Sequence, residues 1–223
     1  MQRTKTTQAF LSAIWAEIGT IPRTALIWFG AVGALSALSD LSFWFHKPRL
    51  TPLDYVGWAL LVSASFLSTY SACMEMIGCR RSWGGLSRFI ATLLVMLSPI
   101  LVAIALLALA HGDQRTLAAS LVASLLGIIF LSFLPGWPVL QVTSPRLIGP
   151  WTAFKSTKGL RWQLMLASVL TSSLNKAVPQ ISTADNLLAA GLLAVLGGIV
   201  TCFSLMLAAA IAVSAWKHMT SEA

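Results

Sequence analysis

Long apolar runs alternate with short polar segments along the whole chain. Six of these runs have or approach the roughly 20 residues a helix needs to cross the hydrocarbon core of a bilayer: residues 24–44, 56–78, 89–110, 116–134, 162–178 and 186–216. Pro99 lies inside the third run and predicts a kink there. The fourth meets Pro135-Gly136-Trp137-Pro138, which stops or kinks it. The fifth is shorter and rich in Ser and Thr, so it is expected to pack against neighbouring helices rather than face lipid all round. Two further segments have a helical apolar stripe but not the length to span. In residues 7–18, Phe10, Leu11, Ile14, Trp15 and Ile18 share one face; in residues 150–159, Trp151 and Phe154 lie beside Lys155 and Lys158. Both predict helices lying in the membrane interface. The predicted fold is a single all-α transmembrane domain of six spans with two interfacial helices.

Composition agrees. The chain is 57% hydrophobic and 10% charged, whereas a soluble domain carries about 25% charged residues. The net charge of +8 sits in the connecting segments. This is the pattern of flanks facing anionic headgroups, and it argues against nucleic acid as a partner. With the N-terminus inside, 11 of the 15 Lys and Arg residues fall on the inner side, and only Lys47, Arg49, Arg115 and Lys176 on the outer. The positive-inside rule then predicts that both termini are cytoplasmic. No apolar signal region with a small-residue cleavage site is read near the N-terminus. Trp28, Trp44, Trp58, Trp162 and Trp216 fall at predicted helix ends, and Trp15, Trp83, Trp137 and Trp151 in inner flanks or loops. Together they predict an interfacial belt.

Small residues recur every fourth position in three spans: Ala64, Ser68 and Ala72; Ala119, Ala123 and Gly127; Ala190, Ala194, Gly198 and Cys202. Such ladders serve close helix packing, within one chain or between chains. Glu75, near the inner end of the second span, is a candidate intramembrane site or a structural ion pair with Arg80, Arg81 or Arg88. Arg146, Lys155, Lys158 and Arg161, in the long inner segment 135–161, could hold a lipid headgroup or a protein partner, or could serve orientation alone. That segment is the longest loop and the expected water-exposed site. His46, His111 and His218 are scattered, and Cys73, Cys79 and Cys202 form no CxxC. Neither a metal site nor a disulfide framework is expected. No nucleophile elbow, phosphate-binding loop or paired carboxylate is present, so no catalytic chemistry and no cofactor is predicted.

The stretch 134–164 resembles a region of a bacterial family of six-helix membrane proteins: the membrane domain of glycerophosphodiester phosphodiesterases and the YciC-like proteins. The matching residues are Pro135, Gly149, Pro150, Ala153, Ser156, Lys158, Gly159 and Trp162. Where the family carries an acidic residue after the proline, this chain has Gln141 and Val142. The resemblance implies a six-helix module of the bacterial inner membrane. It implies no phosphodiesterase chemistry, which belongs to a separate soluble domain of those proteins. The expected role is a non-enzymatic scaffold or assembly subunit of a membrane complex, with anionic lipids and a protein partner or second copy as its contacts. The alternative is a transporter or channel component for a small or lipidic solute, with the broken helix at Pro135–Pro138 as its mobile element.

Overall fold

The computed structural model of the chain describes residues 2–46, 51–109, 113–178 and 181–221. Lys47, Arg49, His111 and Pro179 of the expected outer loops lie outside these residues, as do the side chains of Arg3, Lys5 and Lys176. All regular structure among the described residues is helical: α1 (Gln2–Gly19), α2 (Arg23–His46), α3 (Pro52–Met76), α4 (Trp83–Leu109), α5 (Gln114–Phe133), α6 (Trp137–Thr143), α7 (Pro150–Ser156), α8 (Arg161–Ala177), a 3-10 turn (Ile181–Thr183) and α9 (Leu187–Ser221).

Among the described residues five helices, α2, α3, α4, α5 and α9, are long and apolar enough to cross a membrane. Their outward faces carry exposed Leu, Ile and Val side chains such as Leu60, Leu101, Ile104, Leu121 and Leu192, as lipid-facing surfaces do. This is the build of a multi-pass membrane protein. The predicted fifth span, α8, has 17 residues and is not among the five.

The chain forms two compact units. In the unit of Gln8–Arg80 and Val169–Ala210, α2 and α9 approach closely. A methyl group at Gly33 would lie 2.5 Å from the Gly198 carbonyl oxygen, and one at Gly198 would lie 2.5 Å from that of Gly33. Ser36 and Thr201 share a hydrogen bond of 3.2 Å, and the Trp44 indole donates to the Ala184 carbonyl at 3.4 Å. A methyl group at Gly197 would lie 3.2 Å from the Asp40 carboxylate; Asp40 follows Ser36 by four positions while Gly197 precedes Thr201 by four, so α2 and α9 run antiparallel. The small-residue ladder of α9 is spent on packing within the chain, with Ala190 and Ala194 fully buried.

In the same unit the predicted face of α1 divides. Phe10 and Ile14 are buried, while Leu11 and Trp15 are exposed. The end of α3 is a two-bond terminal turn: the Cys79 amide donates to Met74 and the Gly78 amide to Glu75. Gly78 adopts φ +68°, the left-handed conformation such a turn requires.

The other unit comprises Met1–Thr7, Arg81–Ser168 and Ile211–Ala223, and α4 and α5 form its long hairpin. The Ser120 hydroxyl donates to the Ala103 carbonyl at 2.9 Å, and Gly127 lies against Ile100. The buried face of α5 therefore begins at Ser120; Ala119, read from sequence as part of the ladder, is exposed. Pro99 leaves α4 continuous. Proline removes the N–H that would have bonded Val95, and the neighbouring Ser98 hydroxyl donates to that carbonyl at 2.8 Å.

Candidate functional site

The long inner segment of the sequence reading is largely not a loop. α5 ends at Phe133 because Pro135 cannot continue it and restrains the residue before it. α6 then starts on Gly136, with Pro138 in its first turn, where a missing N–H costs nothing. Trp137 through Gln141 are all buried. Trp137 and Leu140 join Met96, Leu134, Ala153 and Met219 in one apolar cluster, against which Trp216 also packs. Gly136 lets α6 begin directly against the Ala215–Trp216 backbone, since a methyl group there would lie 2.7 Å from the Trp216 nitrogen. The expected water-exposed site is thus, over its first half, interior. Trp137 and Trp216 leave the predicted belt for the same reason. Trp137 is 4% exposed, and the Trp216 indole donates to the Thr143 hydroxyl at 3.0 Å.

The ends of α6 are held by side chains. Arg88 donates to the Ser144 carbonyl at 3.2 Å, a cation at a helix C-terminus. The Trp137 indole donates to the Ile148 carbonyl at 2.9 Å, and the Gln141 amide oxygen accepts the Ile148 N–H at 3.0 Å.

The predicted interfacial helix of residues 150–159 is shorter: α7 ends at Ser156, and a turn carries the chain to Arg161. Its start is as read, with Gly149 as N-cap and Pro150 in the first turn. One face, Ala153 and Thr157, is fully buried; the opposite face presents Trp151, Thr152, Lys155 and Lys158. Phe154 joins the two. Trp151 stacks on it at 5.8 Å, Phe133 meets it edge-on at 6.0 Å, and the Arg161 guanidinium lies 3.8 Å from its centroid. Arg161 also donates to the Phe154 carbonyl at 2.9 Å.

The four cations read from sequence as one cluster therefore have two jobs. Arg161 is half-buried and clamps α7 from within. Arg146, Lys155 and Lys158 are exposed, and the Lys155 ammonium lies 5.7 Å from the Trp151 ring. Trp151 and Leu147 are 66% and 81% exposed. The exposed part combines apolar rings and chains with positive charge, a chemistry suited to an anionic amphiphile.

Glu75 belongs to the other unit, where Thr24 is one of its partners. The Thr24 hydroxyl donates to its carboxylate at 2.6 Å, tying the first turn of α2 to the last turn of α3. At the other end of that hairpin, Asp54 accepts from Ser42 at 2.8 Å, from His46 at 3.1 Å, and from the Thr51 amide and hydroxyl at 2.8 and 2.7 Å. His46 is thus a bonded residue, not merely a solvated one. Sequence reasoning missed this cluster, although Thr51-Pro52-Leu53-Asp54 carries the spacing of a capping box. Among the described residues no three His, Cys, Asp or Glu side chains gather as a metal-binding group. No protein-family model, curated protein or solved structure matches the chain.

Proposed function

We propose that this protein is a non-enzymatic scaffold or assembly subunit of the bacterial inner membrane, crossing it six times with both termini in the cytoplasm. The α2–α9 pairing supports six crossings. Four long helices, α2 to α5, return the chain to the side on which α2 began. The segment before α9 lies at the far end of α2, where Trp44 bonds Ala184. On this reading α8, 17 residues and about 26 Å long, is the crossing between α5 and α9. Its length is just short of a hydrocarbon core of ~30 Å, a mismatch that local thinning accommodates. The excess of Lys and Arg on the side of the α3–α4 and α5–α8 connections supports a cytoplasmic assignment for that side. The six-span order of the membrane family that residues 134–164 resemble agrees with it.

One observation favours a fixed scaffold over a transporter. The break at Pro135–Pro138, which a transporter would use as its mobile element, is packed solid: Leu134, Gly136, Trp137 and Pro138 are all buried, and the α6 side chains satisfy the backbone on both sides of Ile148. The test is native mass spectrometry on protein extracted gently from its own membrane. Stoichiometric protein partners are expected. A lone chain or homo-oligomer carrying a defined solute would overturn the scaffold in favour of transport.

A further inference from the structure

We propose that the outward surface of α7 and its flanks, formed by Trp151, Lys155 and Lys158 with Leu147 and Arg146, binds the headgroups of anionic phospholipids. This rests on the membrane reading above and deepens it, by naming which side chains meet lipid and which support them.

The argument starts from what the exposed face contains. α7 has only seven residues, too short to span, yet it turns Ala153 inward and its largest side chain, Trp151, outward. Ala153 and Thr157 are fully buried, while Trp151 remains 66% exposed and Leu147, just before the helix, 81%. In water such an arrangement leaves a large apolar surface uncovered. At the level of the headgroups it is favourable, because an indole ring places its apolar body toward the acyl chains and its N–H toward water. The cations alternate with these apolar groups. Lys155 lies one turn from Trp151 with its ammonium 5.7 Å from the ring, and Lys158 follows in the turn after α7. Positive groups on apolar stems, beside an indole, complement a phosphate that sits above acyl chains. An acidic protein surface would match the lysines but would leave the apolar side chains without that layered environment.

Arg161 is not part of the binding face. Its guanidinium lies against the Phe154 ring at 3.8 Å and donates to the Phe154 carbonyl, and Phe154 in turn stacks on Trp151 at 5.8 Å. Arg161 acts as a positioning residue that holds Trp151 outward through Phe154.

The full chain reconstituted into nanodiscs of mixed phosphatidylglycerol and phosphatidylcholine, then released for native mass spectrometry, tests this directly. The parent is expected to retain phosphatidylglycerol in preference. Lys155→Gln with Lys158→Gln should weaken that preference by about fivefold for each lysine removed, with an unchanged melting temperature because both side chains are exposed. Arg161→Gln should instead lower the melting temperature. Equal retention of the two lipids by the parent, or an unaltered preference in the double lysine variant, overturns the proposal. So does loss of an acidic protein partner with lipid preference intact, which would assign the face to protein docking. Both leaflets of the disc are alike, so an inverted orientation or a failed scaffold reading would leave the result unchanged.

Discussion

Trp137 and Gln141, one turn apart on α6, hold the two polar groups of a single residue. The indole donates to the Ile148 carbonyl at 2.9 Å, and the amide oxygen accepts the Ile148 N–H at 3.0 Å. A chain that leaves a buried helix and turns back over an apolar cluster must satisfy its peptide groups without a regular ladder. Here two side chains do it. Replacing Gln141 by Leu keeps the volume near constant but orphans the Ile148 N–H, which costs about 1–3 kcal/mol. Denaturant unfolding in mild detergent measures it; a change within the ~0.5 kcal/mol typical of solvated sites would show that Ile148 is not held this way.

The α2–α9 crossing depends on the absence of a Cβ at two facing positions. Gly33→Ala or Gly198→Ala should each destabilise the protein by about 1–3 kcal/mol, since the obstructing atom is backbone and cannot rotate away. Gly191, also in α9, has open space where its Cβ would stand. Gly191→Ala is the matched control and should be neutral or slightly stabilising. Equal thermal shifts for Gly198→Ala and Gly191→Ala would exclude the close crossing.

Gly78 terminates α3 at φ +68°. An alanine there meets no steric neighbour but must adopt the left-handed conformation, at a cost of about 1 kcal/mol. Gly78→Asn, which tolerates that conformation, should recover part of the loss. Thermal melts of the two variants separate a backbone effect from a packing effect.

Asp113 caps α5 by accepting from the Thr116 hydroxyl and amide and from the Arg115 amide. These bonds, the Thr116 hydroxyl foremost, hold its carboxyl below the usual carboxylate range. A folded-state value lower than the unfolded one stabilises the fold above the unfolded value, and the effect is lost as pH falls through the folded value. Acidification below about pH 4 should therefore lower the melting temperature. Asp113→Asn, which still caps, should show a flatter profile over that window.

Orientation has a native reporter. Cys79 is exposed in the α3–α4 connection, whereas Cys73 is buried and Cys202 half-buried. A membrane-impermeant maleimide should modify Cys79 in inside-out vesicles and leave it intact in right-side-out ones. The reverse pattern would invert the proposed topology.

The helices were legible because each is a long uninterrupted apolar run with its own punctuation. Pro22 separates α1 from α2, Gly78 ends α3, and Pro135 ends α5. The start of α7 at Pro150 was legible for the same reason. The interior of 135–161 was not. Trp137, Gln141 and Arg161 read locally as belt, loop and surface residues, because in a chain this apolar a buried tryptophan and an interfacial one have the same neighbours in sequence. His46 and Asp54 were missed as a pair because eight positions separate them, across a connection whose geometry no local rule supplies.

Read alone, the amino-acid sequence specifies a helical, membrane-embedded chain, the ends of most helices and the small residues available for close contacts. Those properties follow from composition, length and backbone chemistry, which act over a few turns. Packing between distant segments brings Gly33 to Gly198, seats α5 through Ser120 rather than Ala119, and turns Arg161 inward while Lys155 and Lys158 face outward. Helical periodicity defines faces but not which helix each face will meet. That choice is made by steric fit and hydrogen bonds between segments far apart in the chain, as when Ser36 pairs with Thr201 at 3.2 Å.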